Sequence, residues 1–130
     1  MTKGRIIEAL KEGSKKDDID YDSGDTKHCK LDFHDDGTVR LDYFAHSWDD
    51  VGGNDSYEQS IAAIPTDPLD QVIAHAIQTE SGKLEVPVTL FQHLYGRDTY
   101  EEFDEHREKD ITLKISIQPC EEDIKIDISW

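Results

Sequence analysis

A chain of 130 residues with 35% hydrophobic content is long enough for one domain around one core, and its apolar residues are patterned instead of scattered. Thirty acidic side chains against fourteen basic ones give a net charge of −16, a field that repels nucleic acid and anionic membrane surfaces and draws in basic macromolecules. No apolar run reaches the roughly 18 residues that cross a bilayer, and the MTKGRIIEALKEG start lacks the apolar segment of a signal peptide. Two cysteines without a CxxC motif are no disulfide framework, so a reduced, cytoplasmic setting is the expectation.

The charge is uneven. Residues 1–16 hold Lys3, Arg5, Lys11, Lys15 and Lys16 against Glu8 and Glu12, whereas residues 17–130 carry 28 acids and 9 bases, a net of −19.

In chain order, Thr2 caps a first helix over residues 3–12, with Ile6, Ile7 and Leu10 as its apolar stripe and Gly13 as its stop. The polar, turn-rich stretch 13–25 reads as a surface loop. From His28 to Trp48 the chain reads as a β-hairpin. A three-residue loop at Asp35-Asp36-Gly37 sets Phe33 against Val39, Leu31 against Leu41 and Cys29 against Tyr43 on one face. The other face then pairs Asp32 with Arg40 and Lys30 with Asp42, opposite charges across the ladder. A slip of one residue mixes the faces, so this register is favoured. Cys29 is then buried.

Residues 47–56 read as a loop with two glycines, and Tyr57–Ile64 as a short candidate third strand. A second helix follows, with Asp67 as N-cap, Pro68 in the first turn and Asp70 near the positive end of the dipole. Its buried stripe is Leu69, Val72, Ile73, Ala76 and Ile77, and Gly82 follows its end. Residues 84–90 alternate like a strand, but Pro87 confines such a strand to an edge, and Leu90, Phe91, Leu94 and Tyr95 have helical spacing. A helix from about residue 88 is favoured there. Thr99 and Glu102 have capping-box spacing and predict an acidic helix over 100–108, anchored by Tyr100 and Phe103.

A second hairpin closes the chain. A loop of Pro119-Cys120-Glu121-Glu122 sets Ile117 against Ile124, Ile115 against Ile126 and Leu113 against Ile128, with Lys114 facing Asp127. The expected fold class is therefore α+β: residues 1–130 form a single acidic domain, its antiparallel sheet built from two hairpins (about 28–45 and 111–130) with two to four helices packed on one face.

Motifs of chemistry fail one by one. A calcium loop starting at Asp18 needs glycine in its sixth place and glutamate in its twelfth, where Ser23 and Cys29 stand. His28 and Cys29 are adjacent and point to opposite faces of a strand, while His28 and His34 lie ~20 Å apart at ~3.3 Å per residue. Only assembly over long range, for example of His46, His93 and His106, could build a metal site. His46-Ser47-Trp48-Asp49 has the letters of a hydrolytic triad but not its geometry, and no phosphate loop or dinucleotide fingerprint occurs. No catalytic residue, metal or cofactor is expected, and the protein is read as non-enzymatic.

What remains is acidic patterning. Asp18, Asp20 and Asp22, if extended, stand ~7 Å apart, comparable to successive phosphates of a nucleic-acid strand. Asp25, Asp49 and Asp50 add to them, and so do Glu101, Glu102, Asp104, Glu105 and Glu108. Tyr21, Trp48, Tyr57 and Tyr100 are candidate aromatic anchors beside these acids. The expectation is an inhibitor that mimics nucleic acid and occupies the basic, nucleic-acid-handling surface of another protein, binding neither nucleic acid nor membrane itself. The partner would be a CRISPR effector or restriction enzyme, the protein then being a phage-type antagonist. Alternatively it is an immunity protein or antitoxin facing a nuclease toxin. A phage or assembly component acting through a sheet edge, and last a small metal-dependent enzyme, are the remaining alternatives.

Overall fold

The computed structural model describes residues Met1–Trp130. It is mostly β: 64% of the chain is strand, in a seven-stranded antiparallel meander curled into a nearly closed barrel. In chain order come α1 (Lys3–Glu12), β1 (Ser14–Ile19), β2 (Ser23–Phe33), β3 (Val39–Asp49), β4 (Asn54–Ile64), α2 (Thr66–Thr79), β5 (Gly82–Asp98), β6 (Glu101–Cys120) and β7 (Asp123–Ser129). The expected α+β sheet with two to four helices on one face is thus corrected. There are two helices, and the sheet curls so that its inner face makes its own core. No helix is long and apolar enough to cross a membrane.

The strongest local signals hold. Thr2 Oγ1 accepts from the Arg5 amide at 3.3 Å at the start of α1, and Gly13 closes its end. The β2–β3 hairpin has the expected register: Phe33 faces Val39, Leu31 faces Leu41, Cys29 faces Tyr43, and the two charge pairs lie on the other face. His34 and Thr38 close its loop with a 2.9 Å hydrogen bond, and Gly37 takes the positive φ that the loop demands.

Elsewhere strands replace loops and helices. Residues 14–19, read as loop, form edge strand β1, paired with Gly24–Cys29. Five of its six residues are exposed, so backbone pairing alone makes it a strand and no burial alternation marks it. The loop expected over 47–56 shrinks to residues 50–53, because β3 and β4 stay paired out to Asp49 and Asn54. The helices expected from residue 88 and over 100–108 are instead the long hairpin β5–β6. Leu90 and Leu94 lie on the inner face while Phe91 and Tyr95 stand on the outer one, so apolar side chains on both faces of a strand imitate helical spacing. Pro87 lies where β5 pairs with β6 alone, so its missing N–H leaves no gap against β4. Thr99 takes φ +59° in the hairpin turn and caps no helix.

Details of the two remaining elements also differ. α2 begins after Pro65 with no side-chain cap; Asp67 sits in its first turn, and Ile77 is 39% exposed while Leu69, Ile73 and Ala76 are buried. In the last hairpin Glu121-Glu122 form a two-residue turn, so Ile117 faces Ile126 and Ile115 faces Ile128. Lys114 meets Ser129, and Asp127 meets Ser116. A slip of two keeps every isoleucine on its face, which is why the pattern could not exclude it. Cys120, expected in the loop, ends β6.

The inner faces of β2, β3 and β5–β7 supply Leu31, Leu41, Val86, Leu90, Leu113, Ile115, Ile117 and Ile126 to one core cluster, joined by Ile6 and Leu10 of α1 and Leu69 and Ile73 of α2. Each such side chain, fully buried, contributes about 1.5–3 kcal/mol relative to exposure. Edge strands β1 and β7 approach without pairing, and Trp130 meets Tyr43 edge-on at 5.0 Å inside that seam. Arg5 ties α1 to the β6–β7 turn through the Glu122 carbonyl at 2.6 Å.

Candidate docking interface

An up-and-down meander sends alternate turns to opposite ends. The β2–β3 and β6–β7 turns and helix α2 share one end; the β1–β2, β3–β4 and β5–β6 turns share the other. The second group carries the charge. Segments 17–25, 49–55 and 97–105 hold thirteen carboxylates against one base, Arg97, hence −12 of the net −16. The other 105 residues carry 17 acids and 13 bases.

These tips are tied to one another. The Asp50 amide donates to the Asp22 carbonyl at 2.8 Å, and the Thr99 amide donates to Asn54 Oδ1 at 2.8 Å. Asp49 Oδ1 accepts from the Val51 and Gly52 amides at 3.1 and 3.2 Å, folding the middle tip on itself. Each tip also exposes an apolar side chain: Ile19 and Tyr21 are 63% and 94% exposed, Val51 81% and Tyr100 93%.

Of the residues singled out from sequence, Asp20, Tyr21 and Asp22 form the first turn, flanked by Asp18 on β1 and Asp25 on β2. Asp49 ends β3 and Asp50 begins the second turn; Glu101, Glu102, Asp104 and Glu105 open β6. Glu108 lies farther along β6, opposite Phe91 and away from the tips. The evenly spaced row of Asp18, Asp20 and Asp22 does not form, because β1 ends at Ile19 and the Asp20 carboxylate turns to accept from the Tyr21 amide at 2.8 Å. Asp17, Asp55 and Asp98 join the acidic end as well. Reading 47–56 as a loop and 100–108 as a helix hid the register that brings the last two there.

Beside the tips, on the outer face, rings stack across four strands. His46 lies 4.2 Å from Tyr57 and 5.1 Å from Trp48; Tyr57 lies 5.1 Å from Tyr95. Tyr95 is 4.7 Å from His93, and His93 is 4.1 Å from His106 on β6. Directly opposed residues in adjacent strands stand close enough for this, and here the opposed residues are rings. Trp48 and Tyr57, two of the four candidate anchors, therefore belong to the ladder and are half-buried, while Tyr21 and Tyr100 stand free at the tips. Desolvation within the stack, then the Asp55 charge, holds the Tyr57 phenol above its ordinary range. Asp55 bonds to His46 and Asp104 bonds to His93, the latter at 2.8 Å. An open cleft lies between this ladder and the tips, lined by Trp48, Asn54, Tyr95, Arg97 and Glu102 among others.

Comparison of the chain with protein-family models, with curated proteins and with solved structures found no match.

Proposed function

We propose that this protein is a non-catalytic inhibitor whose acidic end docks on the basic, nucleic-acid-handling surface of another protein in the cytoplasm. The observation that carries the reading is the gathering of −12 of the net charge into three hairpin tips bonded together at one end. Packing so many like charges into 25 residues opposes folding, a cost that a merely soluble protein would avoid by spreading them. Tyr21, Val51 and Tyr100 standing among those carboxylates supply what charge lacks. Aromatic anchors concentrate binding energy, and surrounding carboxylates speed encounter and fix orientation. A nuclease, CRISPR effector, restriction enzyme or nuclease toxin offers the matching surface, so the antagonist and immunity settings share this physics. Assembly through a sheet edge has less support, since the two edge strands face each other across the seam.

Capture of proteins from the native host, at low and high salt, tests the reading. The expected result is capture at low salt of a nucleic-acid-binding protein that duplex DNA or RNA displaces, and its loss in an Asp20→Asn/Asp22→Asn/Asp50→Asn variant. That variant should itself unfold at a higher temperature at low salt, because repulsion is relieved and the backbone bonds between tips remain. Capture untouched by salt, by nucleic acid and by the triple substitution would refute the docking surface.

A further inference from the structure

The ring ladder ends in a group of side chains of which docking draws only on the charge of Asp104. His93 on β5 and His106 on β6 are directly opposed in the register, and Tyr95 opposes Asp104 in the next place. Asp104 and His106 are two residues apart on one strand and so share a face, and that face is the one that carries His93. The result is a convergence of donor atoms. Asp104 Oδ1 lies 2.8 Å from His93 Nε2 and 3.6 Å from His106 Nε2, and all three ligating atoms fall within 4.8 Å of one another. In a tetrahedral zinc site with bonds of about 2.0–2.1 Å, ligand atoms stand about 3.3 Å apart, so the three donors already span one triangular face.

We infer that His93, Asp104 and His106 form a binding site for a divalent transition-metal ion of the zinc class, clamping β5 to β6. Two imidazoles and one carboxylate suit zinc and its neighbours, whereas calcium and magnesium want oxygen ligands throughout. The donors come from a paired hairpin, so the backbone that spaces them is set before any ion arrives. The side chains of His106 and Asp104 are 73% and 68% exposed, which leaves the remaining coordination positions open to water. An ion there would cross-link the two longest strands beyond the reach of the aliphatic core. The inference stands apart from the docking proposal: it needs neither a partner nor the tip residues Asp20, Asp22 and Asp50.

Zinc titration of the purified chain, carrying Cys120→Ser to remove the exposed thiol, tests it by calorimetry and native mass spectrometry. One equivalent of zinc should be retained, and the thermal midpoint should rise by a few degrees. His106→Ala, His93→Ala and Asp104→Asn should each weaken binding by at least about tenfold, since even an outer partner of a metal ligand is worth about 10–100-fold. His75→Ala, an exposed histidine on α2, should change nothing. Cobalt in place of zinc should give the visible absorption of a bound, low-symmetry ion, and His106→Ala should abolish it. Because His106 is exposed, the metal-free variant should melt where the parent does, so a loss of binding reports ligation and not unfolding. No retained equivalent, or affinity equal in all four histidine and aspartate variants, would overturn the site.

Discussion

The two ends of this barrel are made from the same strands and do opposite things. Along β3, the inner-face residues run Val39, Leu41 and Tyr43 toward the helical end, then Ala45 and Ser47 toward the tips. Along β5 they run Leu84, Val86, Val88 and Leu90, then Gln92 and Leu94. The changeover is marked by buried Ser60, whose hydroxyl donates to Glu58 at 2.8 Å, with the Gln92 amide donating to the same carboxylate at 3.3 Å. Helices α1 and α2 add their stripes to the aliphatic end only. Stability is therefore housed at one end, and this lets the other hold carboxylates and exposed rings that no core would tolerate.

The comparison breaks first at its aliphatic end. Leu113→Ala, at a fully buried position, should cost about 2–5 kcal/mol in urea unfolding, while Tyr100→Ala at a tip should stay within about 0.5 kcal/mol. Equal costs would mean that the division does not exist. A smaller effect is expected beside the tips, where Gly96 pairs with Ser56. Gly96 has φ +144°, and a Cβ there would run into the Asp55 carbonyl on β4. Gly96→Ala should therefore cost about 1–3 kcal/mol and shift the NMR signals of the His46, Tyr57 and Tyr95 rings, leaving those of Leu41 and Leu113 in place.

The smallest effect separates the two thiols. Burial, then the charge of Asp42, pushes Cys29 from the ordinary 9.0 up to about 12, while Cys120 is exposed. A disulfide reagent at neutral pH should titrate one thiol per folded chain and two in denaturant. Because the folded value is the raised one, the contribution of Cys29 to stability is present in full below the unfolded value near 9.0 and is lost as pH climbs toward about 12. Cys29→Ala, though less stable throughout, should therefore show a shallower alkaline decline. A parallel decline would show that Cys29 is not protected.

How much was legible depended on whether the information was local. The β2–β3 register could be read because a one-residue slip would bury Arg40 and Asp42, so side chains alone excluded the alternative. The last hairpin was legible in its faces but not its register, since isoleucines recurring every second residue look the same after a slip of two. In β5–β6, helical spacing and a capping-box match were true local features outweighed by pairing across 17 and 20 residues. Of the candidate interface, the acids and tyrosines could be named from sequence, but not their meeting at one end. His93 and His106 could be named as candidates for a long-range site, but with His46 as the third member; that Asp104 joins them instead was out of reach, because it exists only once β5 and β6 are set in register.

By itself the sequence determined the first helix, the central hairpin, the burial of Cys29 and the sign and size of the charge, because each follows from neighbours a few residues apart. Only the tertiary structure decided that the chain is a barrel, that −12 of the charge lies at one end of it, and that two histidines and an aspartate converge beside that end. Those outcomes depend on which strands pair and in which register. That choice is made by the burial of both helices and every inner face together, a sum to which no single stretch of the chain has access.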